Sequence, residues 1–351
     1  MFTAINLHSQ LSLNRRLFLT QISVQLQSRN LKISSCLSLN KPKDQTTNAS
    51  TAAAGTGTDT LRIILAAGGT GGHIYPAIAI ADDLKTLDPN AQILFVGLPT
   101  GMESTAVPTA GYSFTPIQAA PLGRPFISLY NNKCVVCGNP VRLSLRQYAS
   151  KAVARRHFFS KAVVGKGDGK VVLILGGSLG ANALNVAILH LYSEMLDERK
   201  DLFLIWQTGV LAFDEMESLV KFHPRLYITP FLHSMDLAYS AADLIVSRAG
   251  AMICSEILAA GKPCILIPSP NVAEGHQFHN ACLMADVAGS RVITEDELDS
   301  LTLKSAIEEI LDNEGLMTEM SERALKAAKP DASVEIAKHI LSLVNFSSPQ
   351  G

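Results

Sequence analysis

From Leu61 onward, short unbroken apolar runs alternate with segments of helical periodicity, and that alternation limits the folds open to the chain. LRIILAA (61–67), QILFVG (92–97), VVLILGG (171–177), LFLIWQ (202–207), RLYITPF (225–231), DLIVS (243–247), PCILIP (263–268) and RVIT (291–294) read as strands. Helical patterns run from about His73 to Leu87, Ala181 to about Met195, 211–222, Ala251–Ala260, His276–Ala288 and through most of 299–345. A strand apolar on both faces has to be buried on both. Such strands alternating with helices predict an α/β fold, a parallel sheet covered on each side. The second half supplies about six such units, enough for a complete Rossmann-like domain, and the first half two or three. There, YSFTPI (112–117) reads as a further strand, PLGRPFISLYNN (121–132) as loop, and CVVCGNPVR (134–142) as a strand ending in a turn.

Residues 1–60 differ in kind. They carry six basic residues and two acidic ones, none before Asp44, and end in the small, polar stretch NASTAAAGTGTDT. An acid-poor, Arg- and Ser-bearing leader matches an organelle transit peptide followed by a linker, the alternative being a plain polar tail. The rest of the chain holds 24 basic and 29 acidic residues, and the net charge of the whole is -1, so no basic field points to nucleic acid. No apolar run approaches the roughly 18 residues that span a bilayer. Six cysteines are too sparse for a disulfide framework. Cys134 and Cys137 form a lone CxxC without thioredoxin-like context and read as buried strand cysteines.

Two strand–loop–helix junctions are rich in glycine. The first is LAAGGTGGHIYPA, with Gly68, Gly69, Thr70, Gly71 and Gly72 before His73; the second is ILGGSLGANALN, with Gly176, Gly177, Ser178 and Gly180. Glycines let backbone approach a ligand closely, and a helix N-terminus offers free N–H groups to phosphate. Neither loop is GxGxxG or GxxxxGK[ST], so the nicotinamide and P-loop fingerprints are absent. Two such loops, one per half, fit a cleft that holds phosphorylated ligands from both sides. His73, at a helix start, either acts as a general base near neutral pH or caps the turn. In VSRAGAMICSEILAAGKP, Arg248, Gly250 and Glu256 pass from strand into helix; Glu256 either accepts hydrogen bonds from a ribose diol or is a solvated helix residue. His276 and Gln277 open another helix, where Gln suits sugar hydroxyls. His276 and His279 have no third ligand nearby, so no metal site is expected.

In this order GGTGGHIYPAIAIADDLK, GMES, VPTAGY, GNPVR, GGSLGANALN, WQTG, DLIVSRAGAMICSEILAAGKPCILIP and GHQFHNA closely resemble the MurG glycosyltransferases, from about Leu61 to the end. That family moves N-acetylglucosamine from UDP-GlcNAc to a muramyl, polyprenyl-diphosphate-linked acceptor (lipid I to lipid II) in peptidoglycan precursor synthesis. The resemblance implies a GT-B fold: after a 1–60 leader, a shortened acceptor-side Rossmann-like domain at 61–133 and a UDP-sugar-binding one at 134–351, whose last helices pack back toward the first. It implies His73 as the base for the muramyl 4-hydroxyl and Gly68–Gly72 as the acceptor diphosphate loop. Arg142, Gly177, Ser178, Gly180, Arg248 and Gly250 fall on the donor side, Glu256 at its ribose, and His276 and Gln277 near its sugar. The reaction would be an inverting displacement without cofactor or metal, at a membrane touched peripherally. The leader on such a sequence implies a plastid, or alternatively a mitochondrion.

The sequence departs from the family in three places. Only 69 positions separate His73 from Arg142, where the family carries roughly 70 to 80 more, about half a Rossmann-like domain. That block holds several βα units, a second Gly-rich loop, the acceptor segment and much of the patch that touches the membrane; the break lies near 126–134. Leu179 replaces the polar residue of GGSQGA, and Ile253 the Thr of RAGALT. The competing readings are therefore a catalytically silent UDP-sugar-binding form lacking the acceptor half, and a plastid diacylglycerol glycosyltransferase of the same architecture.

Overall fold

In the computed structural model the described residues are 4–7 and 22–25 (backbone only), 60–68, 71–117, 137–142, 149–159, 169–272 and 275–345. Within the leader, β1 (Ala4–Leu7) pairs antiparallel with β2 (Ile22–Gln25). The loop expected at 121–132, Cys134 and the 133/134 boundary lie outside the described residues.

The first half builds a parallel sheet from β3 (Arg62–Ala66), β4 (Gln92–Gly97) and β5 (Ser113–Pro116), in that spatial order. Its connections are α1 (Gly71–Leu87) and α2 (Glu103–Thr109). Both crossovers step in the same direction. Because such crossovers are right-handed, both helices fall on the same face of the sheet. The alternation of burial records this: Ile63, Leu65, Ile93 and Phe95 are buried against α1, while Ile64, Leu94 and Val96 on the other face are half-buried.

The second half builds a six-stranded parallel sheet in the order β11-β10-β9-β6-β7-β8. The strands are β6 (Lys170–Leu175), β7 (Leu202–Gln207), β8 (Leu226–Thr229), β9 (Leu244–Ser247), β10 (Cys264–Leu266) and β11 (Arg291–Val292). From β6 the chain walks outward through α4 (Asn182–Glu198), β7, α5 (Phe213–Leu219) and β8. It then returns by α6 (Met235–Ala241) to β9, on the other side of β6, and walks the opposite way through α7 (Ala251–Ala260) and α8 (His276–Ala288). Reversing the direction puts the helices on opposite faces. Val171, Leu173 and Leu175 pack with residues of α6 and α7, and Val172 and Ile174 with residues of α4, all at 0–1% exposure for the strand residues.

α3 (Lys151–Phe158) precedes this sheet, and α9 (Ser300–Leu311), α10 (Glu314–Ala327) and α11 (Ala332–Asn345) follow it. The last helix does not stay with its own sheet. Ile336, Ala337 and Ile340 complete the core of the first half, against α1. The strand expected at 134–142 is corrected: Cys137–Arg142 is irregular. Gly138 there has φ +103°, outside the extended range, and Asn139 turns its side chain to α7 instead of a ladder.

Candidate functional site

The order of the six-stranded sheet has a single reversal, between β6 and β9, which are hydrogen-bonded neighbours ending at Leu175 and Ser247. In open α/β sheets a ligand crevice forms outside the carboxyl ends of strands at such a point. The second Gly-rich loop leaves β6 there, and Arg248–Gly250 leaves β9 there.

All five helices that start along this edge lack a side-chain cap: α4 after Ala181, α5 after Ala212, α6 after Ser234, α7 after Gly250 and α8 after Gly275. By contrast α9 and α10 are capped by Asp299 and Asn313, whose carboxylate and amide oxygens accept N–H groups of the first turn. An uncapped start leaves backbone donors and the positive end of the helix dipole available to an anion.

The Gly-rich loop is held by backbone fit and by a buried amide. Gly177 and Gly180 have φ +83° and +112°. Gly180 lies so near the turn after β7 that a Cβ on Gly209 would fall on its backbone. Gln207 donates from Nε2 to the Gly177 carbonyl at 2.9 Å and accepts the Leu232 N–H at 3.1 Å. Asn185 donates to the Thr208 carbonyl and accepts from the Trp206 indole. Gly209, Gln207 and Asn185 were not among the residues the sequence singled out; the quoted WQTG contains two of them. Ser178 is half-buried on this loop, and Leu179 beside it is 56% exposed.

Arg142 and Glu256 are brought together. Asn139 donates to the Ser255 hydroxyl at 2.9 Å and the Ala251 carbonyl at 3.3 Å, which pins the GNPVR segment to the first turns of α7. Arg142 then lies with its guanidinium carbon 3.5 Å from the centroid of the Tyr75 ring on α1. Its Nε is buried and meets no acceptor among the described residues. Glu256 is 7% exposed and accepts from the buried Tyr239 hydroxyl at 2.9 Å. Burial pushes its carboxyl above the usual range, against the opposing pull of Arg142 and the Tyr239 bond. Burial, reinforced by Glu256, pushes Tyr239 well up. Tyr75 is raised by burial too, with Arg142 opposing. The four side chains form a polar cluster where α1 meets the second half.

Other expected residues stand apart from that cluster. Arg248 donates to the Ile267 carbonyl at 3.2 Å and pairs with Glu295, so its charge braces the end of β10. Gln277 is half-buried, its oxygen accepting the Ser269 N–H at 2.9 Å; His276 is exposed beside it. His279 contacts the Gly275 carbonyl through Nδ1. Among the described residues no three of His, Cys, Asp and Glu group as a metal site. His73 is exposed in the first turn of α1, with Nδ1 3.2 Å from the Gly68 carbonyl. Two residues before Tyr75, it points roughly 200° away around the helix. Gly71 and Gly72 open α1, while Gly69 and Thr70 lie outside the described residues.

Comparison with known proteins places this geometry. The model of the glycosyltransferase family 28 C-terminal domain matches residues 171–336, and that of its N-terminal domain residues 63–145. The UDP-N-acetylglucosamine--N-acetylmuramyl-(pentapeptide) pyrophosphoryl-undecaprenol N-acetylglucosamine transferase of Salinibacter ruber is 33% identical over 366 residues, covering 81% of this chain and 97% of the relative. The transferase of the same name from Christiangramia forsetii is 34% identical over 368, covering 81% and 98%. Since 81% of this chain spreads over 366 positions, about 80 positions of the alignment have no residue here. Among solved structures, Acinetobacter baumannii MurG superposes with a TM-score of 0.53 at 21% identity, covering 81% of this chain and 99% of that one. The calicheamicin glycosyltransferase CalG4 superposes with 0.52 at 11%, covering 83% and 100%. These likenesses show the GT-B fold.

Proposed function

The chain belongs to the MurG-type transferases of glycosyltransferase family 28, and from that premise we propose that it transfers N-acetylglucosamine from UDP-GlcNAc to the muramyl 4-hydroxyl of a polyprenyl-diphosphate-linked acceptor. The observation that carries the reading is the meeting of Arg142 with α1. A donor-side cation stacks on Tyr75 of the helix whose first turn bears His73, so the two halves meet along α1.

In this reading UDP lies across the carboxyl ends of β6 and β9. Glu256 takes the ribose hydroxyls, Gln277 and His276 the sugar, and the Gly177–Gly180 loop the diphosphate. His73 removes the proton of the acceptor hydroxyl through Nε2. The hydroxyl oxygen bonds to the anomeric carbon as the carbon–phosphate oxygen bond breaks, and UDP leaves with inversion. The charge it carries away falls on Arg142 and on the uncapped starts of α4 and α7, a role that asks for no metal. Residues 61–133 form the acceptor side and 134–351 the donor side. The acceptor lipid brings the protein to a membrane surface; among the described residues no helix is long and apolar enough to cross one. The leader supports plastid delivery, with a mitochondrion as the alternative, and a fluorescent fusion of residues 1–60 decides between them.

The roughly 80 unmatched alignment positions favour a second reading, a donor-binding form without turnover. Labelled transfer to a lipid I analogue by the full chain separates the two. The first reading predicts transfer that His73→Ala lowers by about 100-fold or more. UDP-GlcNAc binding with no transfer in either protein establishes the second.

A further inference from the structure

A carboxylate that no step above uses is sealed between the ends of β3 and β4. Glu103 opens α2 and is fully buried. Its Oε1 accepts the Leu98 N–H at 2.8 Å. Three glycines make the space it fills, Gly97 at the end of β4 and Gly101 in the connection that leads into α2, and Gly68 after β3. A Cβ on Gly97 would lie 2.6 Å from its Cγ, and a Cβ on Gly68 or Gly101 would press on its carboxylate oxygens. Burying a carboxylate is costly unless hydrogen bonds meet it, so one kept here at the expense of three side chains has a positional task.

That task is legible one bond further on. Gly68, packed on the Glu103 carboxylate, presents its carbonyl 3.2 Å from Nδ1 of His73. A proton on Nδ1 donated to that carbonyl leaves the lone pair on Nε2. We propose that Glu103 is a positioning residue: it locks the Gly68 end of the first Gly-rich loop, and through the Gly68 carbonyl it selects the Nδ1-protonated tautomer of His73. The inference rests on the reading of His73 as the acceptor base. It explains why the loop needs glycine at 68, where φ alone makes no such demand, and why an acidic residue stands beneath a loop expected to meet diphosphate.

The test is Glu103→Gln in the full chain, which keeps the shape and removes the charge. Histidine-selective 15N spectra, with His73→Gln identifying the signal, read the tautomer without any substrate. The proposal predicts that the His73 signal shifts from the Nδ1-protonated form toward a mixture. It also predicts that kcat falls about tenfold or more while the KM for UDP-GlcNAc stays within about twofold. A wild-type tautomer signal in Glu103→Gln overturns it, as does a fall in kcat matched by an equal loss of donor binding. Should Glu103→Gln fail to fold, Gly68→Ala breaks the same link from the loop side and is read in the same spectra, with an unchanged tautomer again overturning it. A wild-type chain that transfers no sugar sinks the functional reading alone, because the tautomer comparison still decides this one.

Discussion

The strands β6 and β3 both open Rossmann-like units and both feed a Gly-rich loop, yet they sit in different surroundings. Every residue from Val171 to Leu175 is buried, because reversal of the chain beyond β8 lays helices on both faces. Around β3 the chain walks one way only, and Ile64, Leu94 and Val96 are left half-buried on the far face. The difference teaches what a Rossmann-like half needs. Strand count matters less than a change of direction, since right-handed crossovers cover the second face only after the walk reverses. Here the first half leans on α11, borrowed from the far end of the sequence.

The sharpest way to break this comparison is through the borrowed helix. Ile336 and Ile340 are 7% and 1% exposed in the first half's core. Replacing either with Ala should cost about 2–5 kcal/mol. The account expects the loss in the first half alone: amides of β3–β5 should exchange faster while those of β6, β7 and β9 keep their protection. Equal loosening of both sheets would show one cooperative unit in place of two.

A smaller effect falls on the second half. Gly209 has φ +87°, and a side chain there would strike the backbone of Gly180. The left-handed conformation alone costs a non-glycine residue about 1–3 kcal/mol. Gly209→Ala should therefore lower the unfolding midpoint and weaken UDP binding together, with no change in the exchange of β3–β5. Binding untouched by this substitution would separate the Gly-rich loop from the donor.

The smallest is a pH slope. Burial lowers the Lys262 ammonium to about 8, against the pull of Asp243, with Lys151 and Arg155 adding to the depression. Between pH 8 and the ordinary lysine range near 10.5, the unfolded chain holds a proton that the folded chain does not, so this residue makes stability rise with pH across that window. Urea midpoints at pH 8 and 9.5 should differ less in Lys262→Met than in the wild type. An identical slope in the two proteins would mean that Lys262 keeps its charge in the fold.

Much of this was legible in the sequence because it is local. The apolar runs at 92–97 and 202–207 are strands over those same residues, those at 61–67, 171–177 and 243–247 are strands with ends moved by one or two residues, and a Gly-rich stretch follows β3 and β6. What escaped is long-range. Asn139 reads as part of a turn until Ser255, 116 positions away, accepts its amide. Its demand for a buried partner also explains why CVVCGNPVR, apolar enough for a strand, is irregular where described. Glu103 was visible only as a letter in GMES: Gly97 and Gly101 are its neighbours in sequence, but its link to Gly68, 35 positions earlier, is made only in the fold. Arg248 was placed on the donor side by its motif, and only the fold shows that Glu295, 47 positions on, pairs with it. Periodicity reports which face is buried; it carries no information about which polar groups meet there.

The measurement that bears most directly on the account is hydrogen exchange of the full chain with and without UDP-GlcNAc. The account predicts slow exchange in β6, β7 and β9, faster exchange in β3–β5, and added protection on ligand at Gly177–Gly180, Thr208–Gly209 and the start of α7. Protection gained only in the first half, or two sheets exchanging at one rate, would contradict a self-sufficient donor half joined to an acceptor half that borrows its core.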